Sequence, residues 1–296
     1  MSTVSHRSAV LLVAAGATLW GTDTVLRQPL TQALPSAAIV FYEHLILAVV
    51  VMPTLVATRK AWMKLSVRQW AAVIGLSWGG SALATICFTL AVQTGNPTTA
   101  VLLQKIQPVF TFLLAGIVLG EGPRRRDWVL LAIAAGGAYL VSFGGSGLWP
   151  SLRPVDVTSA MLALVAAALW GSSTVLGRYV SASLSFTALT ALRIVVALPL
   201  LALLNLPSGL PVPQEGHALK LVWLALVPGL AALLLYYRGL KYTPAPVAAL
   251  AELCFPATTA LLNWLFLGSR LSAWQAAGFL IIWAVVGRLT ATDKKG

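Results

Sequence analysis

The segment Ala17-Thr18-Leu19-Trp20-Gly21, continued by Thr24-Val25-Leu26, returns 150 residues later as Ala167-Ala168-Leu169-Trp170-Gly171 with Thr174-Val175-Leu176. A second block returns at an offset of 148, where Leu102-Leu103-Gln104 through Pro108 to Gly120 aligns with Leu250-Ala251-Glu252 through Pro256 to Gly268. A period of half the chain means that one unit has been copied, so any fold open to the first half must also serve the second. The expected units are residues 1–150 and 151–296.

What kind of unit this is follows from its hydropathy. Charged residues make up 9% of the chain and hydrophobic ones 58%, whereas a soluble domain carries about 25% charge. A helix needs about 20 apolar residues to cross a bilayer. Stretches near that length run at 9–26, 36–57, 70–93, 97–119, 128–147, 158–181, 185–205, 220–241, 245–268 and 273–291. The expected fold class is therefore an all-α membrane protein with ten transmembrane helices, five in each half. The first span resembles a secretion signal, but its copy at 158–181 is internal, so a retained helix is expected. Cys87 and Cys254 do not correspond between the halves and are expected to stay unpaired.

An odd number of spans per unit makes the second copy run opposite to the first. The halves are thus expected to be inverted repeats, with a shared site near the midplane where they meet. Orientation comes from charge. With a cytoplasmic N-terminus, fourteen basic residues fall on that side, among them Arg59, Lys60, Arg124, Arg125 and Arg126; four fall opposite, namely Arg27, Arg153, Lys220 and Arg270. This bias is the positive-inside pattern and places both termini in the cytoplasm. It also accounts for the net charge of +12 through orientation at the membrane lipid, with no nucleic acid partner.

The chain resembles the drug/metabolite transporter superfamily in its EamA branch. The resemblance rests on the Leu-Trp-Gly segments of spans 1 and 6, Leu192-Arg193 early in span 7, and Gly239-Leu240-Lys241-Tyr242-Thr243 closing span 8. Span 4 adds Leu102 through Phe110 and then Leu119-Gly120-Glu121. Two departures from the repeat accompany it: Glu43 stands where span 7 has Arg193, and Ser269 where span 4 has Glu121. The resemblance implies a multi-pass protein of the bacterial inner membrane, acting as a monomer. It further implies export of amino acids, aromatic or other neutral ones, by alternating access, and a central cavity lined by spans 1, 3, 4, 6, 8 and 9.

Within the spans, ionisable residues need an interior or aqueous setting, because each costs about 2.5–3.5 kcal/mol at a helix centre. Lys105 is flanked by Gln104 and Gln107 and followed by Pro108, which removes a helical hydrogen bond and frees a carbonyl one turn earlier. It is expected to meet a substrate carboxylate, the alternative being a stem that snorkels to the interface. Glu252, the counterpart of Gln104, is expected to take a substrate ammonium or a coupling proton, the alternative being an ion pair with Lys105. A zwitterionic small-molecule metabolite would satisfy both. Glu43 is expected to pair with Arg27, and Arg193 to tie helices together.

The repeat-related Trp20 and Trp170, each followed by glycine, are expected to wall the cavity, with Trp78 and Tyr237 as further substrate contacts. Pro108 with Pro256, and Pro97 with Pro244 in the short connections, are candidate hinges. Small residues at Gly75/Gly79 and Gly116/Gly120 are expected at helix crossings. An enzyme is not expected: His-Glu-x-x-His and a phosphate-cradling Gly-rich loop with a lysine are missing from the sequence, so no catalytic residue, metal ligand or cofactor is assigned. The alternatives to a carrier of amino acids are a carrier of another metabolite or drug-like solute and a passive channel.

Overall fold

The computed structural model describes residues 5–94, 103–143, 157–207, 209–267 and 272–291. Among these the regular structure is helical throughout. The first half comprises α1 (His6–Trp20), α2 (Asp23–Thr31), α3 (Ser36–Ala57), α4 (Arg59–Trp62), α5 (Val67–Ile74), α6 (Ala84–Thr94), α7 (Gln107–Leu119) and α8 (Arg125–Phe143). The second comprises α9 (Val157–Ser181), α10 (Phe186–Asn205), α11 (Glu215–Leu224), α12 (Ala232–Leu240), α13 (Ala245–Ala251), α14 (Cys254–Leu267) and α15 (Ala273–Ala291). Polar caps fix several starts: Ser66 and Gln69 form a reciprocal capping box at α5, and Ser185 accepts the Ala188 N–H at α10.

Antiparallel pairs join the halves. Along α5–α6 and α9, Gln69 Nε2 donates to Ser183 Oγ at 2.6 Å, Trp170 Nε1 to the Gly80 carbonyl at 3.0 Å and Ser159 Oγ to the Ala91 carbonyl at 2.7 Å. The counterpart pair is α1 with α12, where Gly16 packs on Ala232 and Tyr236, and Gly239 on Ala9 and Val13. Helix α3 lies along α10, with Asn205 Nδ2 donating to the Ala37 carbonyl at one end and Leu47 and Val51 packing with Ala191 and Ile194 toward the other. Helices α8 and α15 meet through Gln275 and Val141. Exchanging the two halves maps these pairings onto one another.

Seven helices among the described residues are long and apolar enough to cross a membrane, beginning at His6, Ser36, Val67, Val157, Phe186, Gly216 and Ala273. Two expected spans are interrupted within the described residues. The stretch around Lys105 leaves helical geometry at residues 105–106 and restarts at Gln107, with Pro108 in the first turn. Its counterpart breaks at 252–253 and restarts at Cys254. The expected span 128–147 corresponds to α8, and its last residues lie outside the described ones. Expected as proline-weakened helices, the 97–119 and 245–268 spans are thus interrupted ones.

Two further features were not expected. Residues Gly75–Leu83 and Ala225–Ala231, at corresponding places in the halves, are π-helical, the Ala84 N–H reaching back to Gly79 and the Ala232 N–H to Val227. Gly116 and Gly120 form no helix crossing: Gly116 faces Gly122, and Gly120, at φ 67°, ends α7 in the left-handed region that favours glycine. The Gly75/Gly79 pair does meet α9, at Leu176 and Leu169.

Candidate functional site

A cavity of about 210 Å³ lies between the halves, far more than the ~10–15 Å³ that admits one water. Trp20 and Trp170 both line it. Trp20 packs against Tyr236 with centroids 4.9 Å apart, and Trp170 against Phe88 at 5.4 Å, each pair tilted. The glycines that follow them allow the walls to close. A methyl group on Gly21 would stand 2.5 Å from Thr258 Cβ, and one on Gly171 would stand 2.9 Å from the Gln107 carbonyl. Trp170 is held by its indole N–H on Gly80, a carbonyl within the π-helical stretch.

Glu252 sits at the break between α13 and α14 and faces the cavity. Its Oε2 accepts from Gln107 Nε2 at 2.6 Å; its Oε1 accepts from Tyr236 OH at 2.8 Å and Thr174 Oγ1 at 3.2 Å. These donors come from both halves, so the carboxylate joins them. Lys105, at the corresponding break of the first half, is 9% exposed and lies 4.6 Å over the Phe255 ring, with no hydrogen-bond acceptor for its ammonium among the described residues. It neither snorkels to the surface nor pairs with Glu252. Beside it the Gln104 Oε1 is likewise buried and unpartnered.

A charged cluster forms a further part of the lining. Arg27 donates from Nε and Nη2 to Asp23 at 2.6 Å each and from Nη2 to Glu43 at 3.0 Å, so Glu43 pairs with Arg27 as its position suggested. Arg193 donates to Ser81 Oγ and to Tyr237 OH, both at 2.6 Å, tying α10 to the π-helical stretch Gly75–Leu83 and to α12.

Of the substrate contacts expected from sequence, Trp20, Gln104, Lys105, Trp170 and Glu252 line the cavity, as does Pro108. Trp78 and Tyr237 do not. Trp78 is 40% exposed and donates its indole N–H to the Val196 carbonyl on α10. Tyr237 is fully buried against Gly177 as the acceptor for Arg193, and Tyr236 takes the place on the lining. Pro244 caps α13 and Pro256 lies within α14, while Pro97 falls outside the described residues. Thr174 and Phe255 were not anticipated on the lining. Thr174 belongs to the repeated Thr-Val-Leu segment, a signal that was present; Phe255, next to a helix break, left none.

The comparisons agree with this architecture. The sequence profile of the EamA-like transporter family matches residues 7–143 and again residues 157–288. The riboflavin transporter ImpX of Fusobacterium nucleatum subsp. nucleatum is 32% identical over 291 residues, covering 94% of this chain and 96% of its own. The uncharacterized transporter YwfM of Bacillus subtilis is 25% identical over 78% of each chain. A solved crystal structure at 19% identity matches with a TM-score of 0.80 over 97% of this chain and 98% of its own, a likeness of fold. A cavity walled by both halves of a duplicated, apolar helical chain thus occurs in a sequence that matches a transporter family twice, and the chain belongs to the EamA-like transporter family, as a multi-pass membrane transporter and not an enzyme.

Proposed function

We propose that this chain is a secondary carrier for a planar aromatic metabolite with polar groups on its edge, riboflavin being the first candidate. The observation that carries the reading is the cavity itself. Two aromatic pairs, Trp20/Tyr236 and Trp170/Phe88, supply apolar walls, and beside them the Lys105 ammonium and the Gln104 Oε1 present a buried donor and a buried acceptor without partners. Leaving either group unpaired costs about 1–3 kcal/mol. A ring edge on which a carbonyl adjoins an N–H, as in the pyrimidine ring of a flavin, meets both. The 32%-identical relative named as a riboflavin transporter supports the same class of cargo.

A second reading keeps an aromatic or other neutral amino acid as cargo. It is favoured by Lys105 and Glu252, an ammonium without an anion and a carboxylate without a cation in one cavity. A zwitterion spanning the two would neutralise both.

In either case the proposed architecture is ten membrane-crossing segments in two inverted five-helix units, residues 1–150 and 151–296, rocking to expose the cavity to alternate sides of the inner membrane. Both termini are proposed to be cytoplasmic, with export as the direction and a monomer as the working unit. Liposomes containing the purified protein should take up riboflavin saturably, with excess unlabelled riboflavin competing and tryptophan or phenylalanine competing poorly. Saturable uptake of the amino acids with none of riboflavin would select the second reading; unsaturable flux would indicate a channel. Imposing a pH gradient on the same liposomes tests proton coupling.

A further inference from the structure

One part of the lining plays no role in that reading. Asp23 and Arg27 follow Trp20 by three and seven residues on the same span, and with Glu43 they form a charged group on the cavity wall. Arg27 is 8% exposed. Three hydrogen bonds from its Nε and Nη2 go to the two carboxylates, yet among the described residues the buried Nη1 has no partner. The Asp23 side chain is 28% exposed, so one carboxylate of the group remains accessible from the cavity.

We propose that the Asp23–Arg27–Glu43 group is a polyol subsite, which binds the hydroxylated chain of a cargo whose aromatic ring lies between the tryptophans. The inference rests on the riboflavin reading above and extends it to the part of the molecule that the ring contacts leave open. Its chemistry follows from what the group excludes. An anion offered to Nη1 would lie beside two carboxylates already within 3.0 Å of the guanidinium, and like charges repel it. A cation has no lone pair with which to accept from Nη1. An apolar group would leave the N–H buried and unpaired. A hydroxyl accepts from Nη1 through a lone pair and donates its own proton to the Asp23 carboxylate, so a run of neutral hydroxyls satisfies a donor and an acceptor held at fixed spacing.

Lumiflavin, which has the same ring with a methyl group in place of the hydroxylated chain, provides the test. Liposomes bearing the wild-type protein are loaded with labelled riboflavin under competition from unlabelled riboflavin or lumiflavin. Lumiflavin should compete at least about tenfold more weakly, the effect of one buried hydrogen bond left unmade. In Asp23→Asn, which keeps the Arg27–Glu43 pair, the two flavins should compete within about threefold of each other, because the charge-assisted acceptor is gone. Equal competition by both flavins in the wild type, or full discrimination surviving in Asp23→Asn, would overturn the subsite. If Asp23→Asn fails to reach the membrane, the wild-type ratio decides. Absence of riboflavin uptake in the wild type would instead remove the riboflavin reading, and the subsite with it.

Discussion

Gly80 and Gly229 lie 149 residues apart in the two π-helical stretches, and different charges rest on them. Over Gly80 comes Arg193, its Nη2 3.1 Å from where a methyl group would be; over Gly229 comes Glu43, its Oε1 at 3.5 Å. Arg193 and Glu43 are counterparts on α10 and α3, so the repeat has kept the seat and exchanged the occupant. The surroundings follow. Arg193 is neutralised by dipoles, those of Ser81 and Tyr237. Glu43 is neutralised by Arg27, and the position matching Arg27 is Gly177, whose lack of a side chain admits the Tyr237 ring. Both seats line the cavity, one under an arginine that ties helices and the other under a carboxylate in an ion pair. Duplication supplied the frame, and the ligand-facing chemistry arose where the copies ceased to match.

The most severe way to break that comparison is to fill the seats. A methyl group on Gly80 would overlap the Ser173 side chain on α9, whereas on Gly229 the nearest atom is Leu47 Cδ1 at 3.2 Å, the end of a flexible side chain. Gly80→Ala should cost about 3 kcal/mol, the upper range for overpacking a close-packed contact, and Gly229→Ala less than about 1 kcal/mol. Thermal unfolding midpoints of the two variants in detergent measure this. Equal shifts would mean that the two π-helical stretches pack alike, contrary to the difference described.

Why the sequence reveals the frame but only part of the site is visible at particular residues. The repeat and the apolar spans are encoded along the chain, and the Trp20 and Trp170 walls follow from the repeat alone. Trp78 and Tyr237 are aromatics of spans 3 and 8, and the sequence alone does not say which aromatic of a span faces inward. A π-helical turn consumes extra residues and changes the phase of everything after it, so Tyr236 comes to face the cavity in place of its neighbour. That widening depends on packing between the halves, such as Trp170 donating to Gly80, which no local pattern records. The breaks at 105–106 and 252–253 were half legible. Pro108 and Pro256 marked the places, but a proline indicates a lost hydrogen bond, not whether the helix kinks or stops.

Lys105 offers a sharper comparison, since its counterpart is Leu253. Lys105→Leu makes the two breaks alike. Replacing an unpaired buried ammonium with an apolar side chain should leave stability unchanged or raised. Uptake should fall by more than about tenfold, corresponding to about 1.4 kcal/mol of lost binding. Glu252→Gln acts differently, because three donors already hold that carboxylate: both stability and uptake should drop. Uptake kinetics measured beside unfolding midpoints separate the two. A Lys105→Leu protein that transports normally would remove Lys105 from the site.

The smallest expected effect concerns closure at the end of the helices that carries the short connections. Glu121 Oε1 accepts from Arg178 Nε at 3.0 Å, and its Oε2 accepts from the Ala245 N–H at 2.7 Å; Arg178 also donates to the Leu240 and Lys241 carbonyls. One ion pair thereby joins the end of α7, the end of α9 and the turn between α12 and α13. The lining residues Asp23, Arg27, Glu43, Lys105 and Phe88 lie toward the opposite ends of their helices, while Tyr236, Ala249 and Glu252 lie nearer the latch. At the corresponding sequence positions stand Gln28 and Ser269, residue types that form no ion pair. The latch side chains are about a quarter exposed, and a pair of that kind contributes about 0.2–1 kcal/mol. Glu121→Gln should therefore shift the balance between the two cavity-facing states by no more than about fivefold, the equivalent of that energy. Labelling a single cysteine introduced on the latched side reads the shift as faster modification, and excess riboflavin should change that rate in both proteins. Unchanged labelling in Glu121→Gln would mean that the charge asymmetry between the two copies does not bias the carrier.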